Sequence, residues 1–261
     1  MDYNAIEKQI MEVIDEYFAD NRKDYIYEGD FYEFEGRNLP RVTRVIGTCK
    51  GDITGLLEWS NRLGFKRINY GKYMKEVTTI GTACHNAVEN YINEKKEPDL
   101  GEFADPLVKD AVMNAFTGFK SYWDAFTTMH RVKKVYTELH IRTPWYAGTC
   151  DLIIEEENGT TTLCDFKTSN YVKDEHFLQL AAYKYGLEYP SAAPLIKVDS
   201  VCILHLNKKR PVCEEILLDL SIFQNQMFME HCKNCFFSML YTYYSYNIVK
   251  DDFNFIVPKG V

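Results

Sequence analysis

A chain of 261 residues with 46% hydrophobic and 26% charged side chains has an ordinary globular composition and enough length to bury an extensive core. The start MDYNAIEKQI lacks the basic and apolar regions of a leader, no apolar run is long enough to span a bilayer, and eight cysteines are scattered along the chain, so a soluble cytoplasmic protein with reduced thiols is expected and a disulfide scaffold is not. The net charge of −8 speaks against a polyanionic ligand only until it is divided: residues 1–35 hold 11 acids and 3 bases, and the rest of the chain balances.

Residues 1–22 carry Ile6, Ile10, Val13, Ile14 and Tyr17 at helical spacing with carboxylates opposite, which predicts a helix lying on the domain. Tyr25 to Phe34 alternates around Glu28-Gly29-Asp30 and predicts two short strands, with Arg41 to Ile46 extending the small sheet. Residues 36–75 hold nine bases against Asp52 and Glu58, a net of +7, and include a predicted helix from Gly55 to Leu63. Trp59, Phe65, Tyr70 and Tyr73 are interleaved with these cations. Aromatic platforms beside phosphate-binding cations hold single-stranded nucleic acid. Arg41, Arg44, Trp59, Arg62, Lys66, Arg67 and Lys72 are therefore the candidate nucleic-acid-binding residues; the alternative is that Trp59 and Phe65 are core beneath an ordinary basic surface.

Thr78-Thr79 introduces a predicted helix from Thr82 to Asn93 with His85, Val88, Glu89 and Ile92 on one face. Pro106 opens a second helix, to about His130, whose apolar positions from Val112 to Phe126 mark it as core-packing. The predicted strand Val132 to Ile141 presents Lys134, Tyr136, Glu138 and His140 on one face, where Glu138 either adds a carboxylate to a site or pairs with Lys134.

The stretch from Ala147 to Tyr183 holds the chemistry. Leu152–Ile154, the turn signal Asn158-Gly159 and the β-prone run Thr160–Cys164 predict a hairpin, which puts Asp151 and Asp165 at one end of two paired strands. Alternation points Asp165 and Lys167 to one side and Phe166 into the fold. Two hard oxygen ligands suit Mg²⁺ or Mn²⁺, which also accepts the Phe166 backbone carbonyl, and a fixed cation beside an attacking water suits phosphodiester hydrolysis. A helix from Asp174 to Tyr189, capped by Asp174, then places Gln179 and Tyr183 one turn apart.

The order Gly148-Thr149-x-Asp151, Asp165-x-Lys167-Thr168, Gln179-x-x-x-Tyr183, with Gly81-Thr82-x-x-His85 and Leu39-Pro40-x-Val42-Thr43 upstream, resembles the PD-(D/E)XK nuclease superfamily, in its RecB-like branch of phage and mitochondrial exonucleases. The resemblance covers roughly Leu39 to Leu187. It implies metal ligation by His85, Asp151 and Asp165, with Glu138 resembling an acidic residue that often precedes the glycine-aspartate motif. It also implies positioning of water by Lys167, and support of the site by Gln179 and Tyr183. Some relatives hold an iron–sulfur cluster with three cysteines after the core; here only Cys232-x-x-Cys235 follows it, which argues against one.

Beyond the core, strands Lys197–Leu206 and Val212–Asp219 flank a basic turn at Asn207–Arg210, and an aromatic-rich helix runs from Ser221 to about Tyr246. The expected architecture is α/β: a central mixed sheet flanked by helices, with a restriction-endonuclease-like core over 79–220, an N-terminal helical and small-sheet extension over 1–78, and a C-terminal helix and tail over 221–261. The expected activity is a metal-dependent DNA exonuclease acting on single-stranded or end-containing DNA in replication, repair or recombination, with no membrane partner and with the last helix as a surface for a protein partner. The alternative is a non-catalytic nucleic-acid-binding scaffold or a subunit of a larger complex.

Overall fold

The computed structural model describes residues 3–19, 31–34, 37–49, 54–103, 105–190 and 192–256. Its centre is a five-stranded mixed sheet of β3 (Val132–Arg142), β4 (Ala147–Glu156), β5 (Thr161–Lys167), β6 (Ser200–Leu206) and β7 (Cys213–Asp219), side by side in chain order. Every neighbouring pair is antiparallel except β5–β6. That parallel step needs a crossover, and α6 (Asp174–Leu187) supplies it.

Alternation along the strands sorts two cores. Leu163, Val201 and Ile203 face a layer made by α6 and α7 (Phe223–Ile256), over which α1 (Tyr3–Ala19) and α2 (Val42–Ile46) are packed through Ile10, Ile14, Val42 and Val45. Cys164, Phe166, Cys202 and Leu204 face α4 (Tyr70–Glu94) and α5 (Pro106–Met129), through Cys84, Val88, Phe116, Phe119 and Trp123. All seven residues of β6 are buried because helices cover both of its faces. The turn between β4 and β5 forms as predicted: Gly159 has φ +90°, a conformation glycine adopts without strain, and Asn158 Oδ1 accepts the Thr160 N–H at 2.8 Å.

Several sequence expectations need correction. Phe31–Phe34 is a strand (β1), but it pairs with β2 (Arg37–Pro40), and Arg41–Ile46 does not extend that sheet. Arg41 instead makes a lone parallel bridge to Ala147, and α2 begins one residue later, because Val42 and Val45 are drawn into the core as helix-spaced neighbours. The predicted residues 25–30 lie outside the described ones. Helix α4 starts twelve residues before Thr82, at Tyr70. Its cap is Asn69, whose side chain accepts the Lys72 N–H, while the Thr78 and Thr79 hydroxyls bond back to the Met74 and Lys75 carbonyls inside the helix. A domain boundary at 78/79 therefore falls within one helix. Asp174 is the first residue of α6, not its cap, which is Lys173. Cys49, read from the sequence as buried, is exposed. Among the described residues no helix is long and apolar enough to cross a membrane.

Candidate active site

The central sheet opens where the two aspartates stand. β4 and β5 pair from Glu155↔Thr161 to Leu152↔Cys164, and the ladder stops one residue short of Asp151 and Asp165. The Phe166 N–H donates to Asp151 Oδ2 at 2.7 Å. A carboxylate thus stands where the ladder would have offered a carbonyl, and it lies beside the second acid. Burial, and after it the Asp165 charge, holds Asp151 well above the usual carboxylate range, against the opposing pull of Lys167 and the Phe166 N–H.

Asp165 is 1% exposed. Lys167 Nζ lies 2.6 Å from its Oδ2, yet among the described residues neither carboxylate oxygen has a hydrogen bond of good geometry. Lys167 Nζ donates to Gln179 Oε1 at 2.8 Å, and Gln179 Nε2 donates to the Tyr183 hydroxyl at 2.8 Å. The one-turn spacing of Gln179 and Tyr183 on α6 makes this relay possible. β4 can lie against Tyr183 only because residue 148 is glycine: a Cβ there would stand 2.6 Å from Tyr183 Cε1. Burial first, then the Asp165 and Asp151 charges, keeps the Tyr183 phenol protonated far above its ordinary range.

Phe166 packs on the opposite side of the sheet, edge-on to His85 and to Phe119 with ring centroids 5.6 Å away in each case. His85 Nδ1 is 3.7 Å from Asp151 Oδ1. Burial lowers the His85 pKa more than the Asp165 charge and a hydrogen bond to the Phe166 backbone raise it, so the ring is neutral at physiological pH and keeps a nitrogen lone pair. That backbone is the ring's hydrogen-bond partner.

No family model matches the chain, and neither does any curated protein. Among solved structures, that of SSO0001 aligns with 86% of this chain and 81% of its own at 13% identity and a TM-score of 0.29, too loose a superposition to bear on fold or function.

Glu138 departs from ordinary strand backbone. Its φ of +48° lies in the left-handed region, unusual for a glutamate within a strand. The alternation of β3 reverses there: Tyr136 and Leu139 pack on the same core, that of α6 and α7, whereas Val135 packs on the other. The Glu138 carboxyl acts electrostatically on Asp151, whereas the Lys134 ammonium sits 4.1 Å over the Tyr136 ring. Burial and then the Glu89 charge raise the Glu138 pKa, and Glu138 in turn helps raise that of Asp151. Strain of this kind persists where surrounding structure over-determines it, as at binding sites.

The basic set divides. Arg41 comes to the mouth of the site, its guanidinium 5.2 Å from the centroid of Tyr32, whose hydroxyl is 2.7 Å from Thr149 Oγ1. His140 Nδ1 also approaches Thr149 Oγ1, at 2.9 Å. Tyr32, His140 and Thr149 were not among the sequence candidates; the Gly148-Thr149-x-Asp151 pattern was the available signal. Arg44 is engaged with Tyr243 of α7. Arg62, Lys66, Arg67 and Lys72 are exposed on α3 (Thr54–Phe65), the turn after it and the first turn of α4. Lys72 stands about 20 Å along α4 from His85 at 1.5 Å per residue, so this group is not part of the catalytic cluster. Trp59 is half-buried, edge-on to Tyr70 and Tyr73, while Phe65 is 90% exposed, so the aromatic residue that faces solvent is Phe65 and not Trp59. Cys232 is buried and Cys235 exposed on α7.

The donor set has the chemistry a hard divalent cation takes: a buried carboxylate whose oxygens lack hydrogen bonds, a second carboxylate, a neutral imidazole and a backbone carbonyl. The side chains have not closed on a common point, since no three His, Cys, Asp or Glu residues converge to metal-holding distance among the described residues. Lys167 stands against Asp165, and Asp151 is held by the Phe166 N–H.

Proposed function

We propose that this chain is a metal-dependent nuclease of the PD-(D/E)XK type, with a restriction-endonuclease-like core, that hydrolyses DNA phosphodiester bonds and acts as an exonuclease on single-stranded or end-containing DNA. The observation that carries the reading is the buried pair Asp151 and Asp165 at the split between β4 and β5, with Lys167 2.6 Å from Asp165. Asp151, Asp165, the Phe166 carbonyl and His85 would hold Mg²⁺ or Mn²⁺. Bound there, the ion supplies a nucleophilic water at neutral pH and neutralises charge on the phosphoryl oxygens.

The chain's own residues do the rest. Asp151 and Asp165 bring two buried carboxyl groups beside one ammonium, that of Lys167, and Asp151, its pKa raised by burial, yields its proton to a cation more readily as pH rises. Lys167, tethered by Gln179 and through it by Tyr183, is held at the face of Asp165 where it can orient a water against the scissile phosphate. His85 stays neutral, as a metal ligand must. Arg41, His140, Tyr32 and Thr149 border the same opening and offer donors to the substrate backbone.

Cleavage of end-labelled single-stranded, double-stranded and covalently closed circular DNA, with Mg²⁺, Mn²⁺ or chelator and with Asp165→Ala as control, tests the reading. Metal-dependent loss of linear DNA only supports an exonuclease; cutting of circles makes it an endonuclease. A second reading is a nucleic-acid-binding scaffold without catalysis, since a fold does not fix function. It takes over if DNA is bound but not cut with either metal. Exposed Phe223, Met227 and Phe228 on the first turns of α7 keep a role in a larger complex in view.

A further inference from the structure

The hairpin between β6 and β7 ends in the tip Asn207-Lys208-Lys209-Arg210. Parallel pairing of β5 with β6 carries this tip to the same end of the sheet as Asp165 and Lys167: Lys167 is in register with His205, and β6 ends one residue later. The tip is built firmly. Asn207 Oδ1 accepts the N–H groups of Lys209 at 2.9 Å and Arg210 at 3.1 Å. Asn114 of α5 donates to the Lys208 carbonyl at 3.1 Å, and α5 approaches so closely at Gly118 that a Cβ there would stand 2.6 Å from the Val212 backbone.

Lys209 and Arg210 are exposed, but Lys208 is half-buried. Its titratable neighbours among the described residues are Lys209 and Cys84, whose thiol burial pushes up to about 11 and keeps neutral, and neither is a carboxylate. Cys84 precedes His85 on α4, so Lys208 is directed to the α4 side of the site. A lysine that gives up hydration without gaining an acid is short of an anionic partner, and nothing in a hairpin tip requires its ammonium to be turned inward. Lys208 lies three residues beyond the register partner of Lys167 and two beyond the end of β6.

We propose that Lys208 is a phosphate-binding residue that holds the backbone of the nucleic-acid strand to one side of the bond cleaved at Asp151 and Asp165. The proposal rests on the nuclease reading above. Its contact is with a non-reacting phosphate, so it contributes affinity and register and carries no base preference.

The test is anisotropy titration of a labelled single-stranded oligonucleotide with the full chain, with chelator and in parallel with Ca²⁺ replacing Mg²⁺, from 50 to 200 mM salt. Wild type, Lys208→Gln, Lys208→Arg and Lys209→Gln are compared. Loss of one phosphate contact makes the slope of log K against log salt shallower by about 0.7, so the Lys208→Gln deficit should shrink about 2.6-fold across that fourfold salt range. Lys208→Arg should restore the slope, and Lys209→Gln should change it less. A wild-type slope in Lys208→Gln, or an equal change in Lys209→Gln, overturns the proposal while leaving the nuclease reading intact. If the wild-type protein binds no oligonucleotide, both fall.

Discussion

Adding Mg²⁺ or Mn²⁺ at pH 7.5 should raise the melting temperature of the protein, and Asp165→Asn should abolish that response. An ion that binds only the folded chain stabilises it by about 1.4 kcal/mol at tenfold excess over its Kd, and by about 2.7 kcal/mol at hundredfold excess. With an unfolding entropy of about 2.1 cal/mol/K per residue, 261 residues give roughly 0.55 kcal/mol/K, so the shifts are about 2.6 °C and 5 °C. The sign of the pH dependence follows from Asp151, whose folded-state pKa is raised by burial and by Asp165. Between its ordinary and raised values the folded chain holds more protons than the unfolded one, so metal-free stability falls as pH rises through that window. The ion needs the ionised carboxylate. Its increment should therefore be lost as pH falls through the raised pKa of Asp151 and grow as pH rises above it. Calorimetry with each metal titrated over two decades at several pH values measures this directly. No shift in the wild type at saturating metal, or an equal shift in Asp165→Asn, would refute the assignment of these carboxylates to a cation.

Three further outcomes are expected. Lys167→Ala should cut single-turnover cleavage by on the order of 10²-fold or more while leaving oligonucleotide binding in place; wild-type turnover in that variant removes the water-positioning role. Gly148→Val sets a Cβ 2.6 Å from Tyr183 Cε1, and should cost about 1–3 kcal/mol in urea unfolding and displace the relay from Tyr183 to Lys167. An unchanged midpoint would mean that α6 and β4 are not packed this closely. Phe166→Ala removes a buried ring lying between Phe119 and His85, and should cost about 3–5 kcal/mol by the same measurement. A loss below 1 kcal/mol would place that ring outside the core.

Much of the candidate site was legible because its relations are local. Asp165 and Lys167 share a side through the two-residue period of a strand, and Gln179 and Tyr183 share one through the helical turn. Asn158-Gly159 announced the hairpin that brings Asp151 beside Asp165. The mixed sheet followed from the same local signals, since a hairpin, a crossover helix and a second hairpin admit few arrangements.

Relations set by contacts distant in sequence were not legible. The split between β4 and β5 arises because Asp151 takes the Phe166 N–H, an interaction across 15 positions that no periodicity announces. Reversal of β3 at Glu138 depends on the competing demands of the two cores for Tyr136, Leu139 and Val135, and a residue forced to φ +48° carries no mark in its own identity. The basic run from Arg37 to Lys75 read as one surface, but the straight axis of α4 separates Lys72 from His85, while a lone bridge to Ala147 draws Arg41 to the opening. The tip at Lys208 looked like an ordinary turn until parallel pairing set it at the same end of the sheet as Asp165 and Lys167. Short-range geometry is written in residue order, whereas which distant groups meet is decided by how the layers close over the sheet.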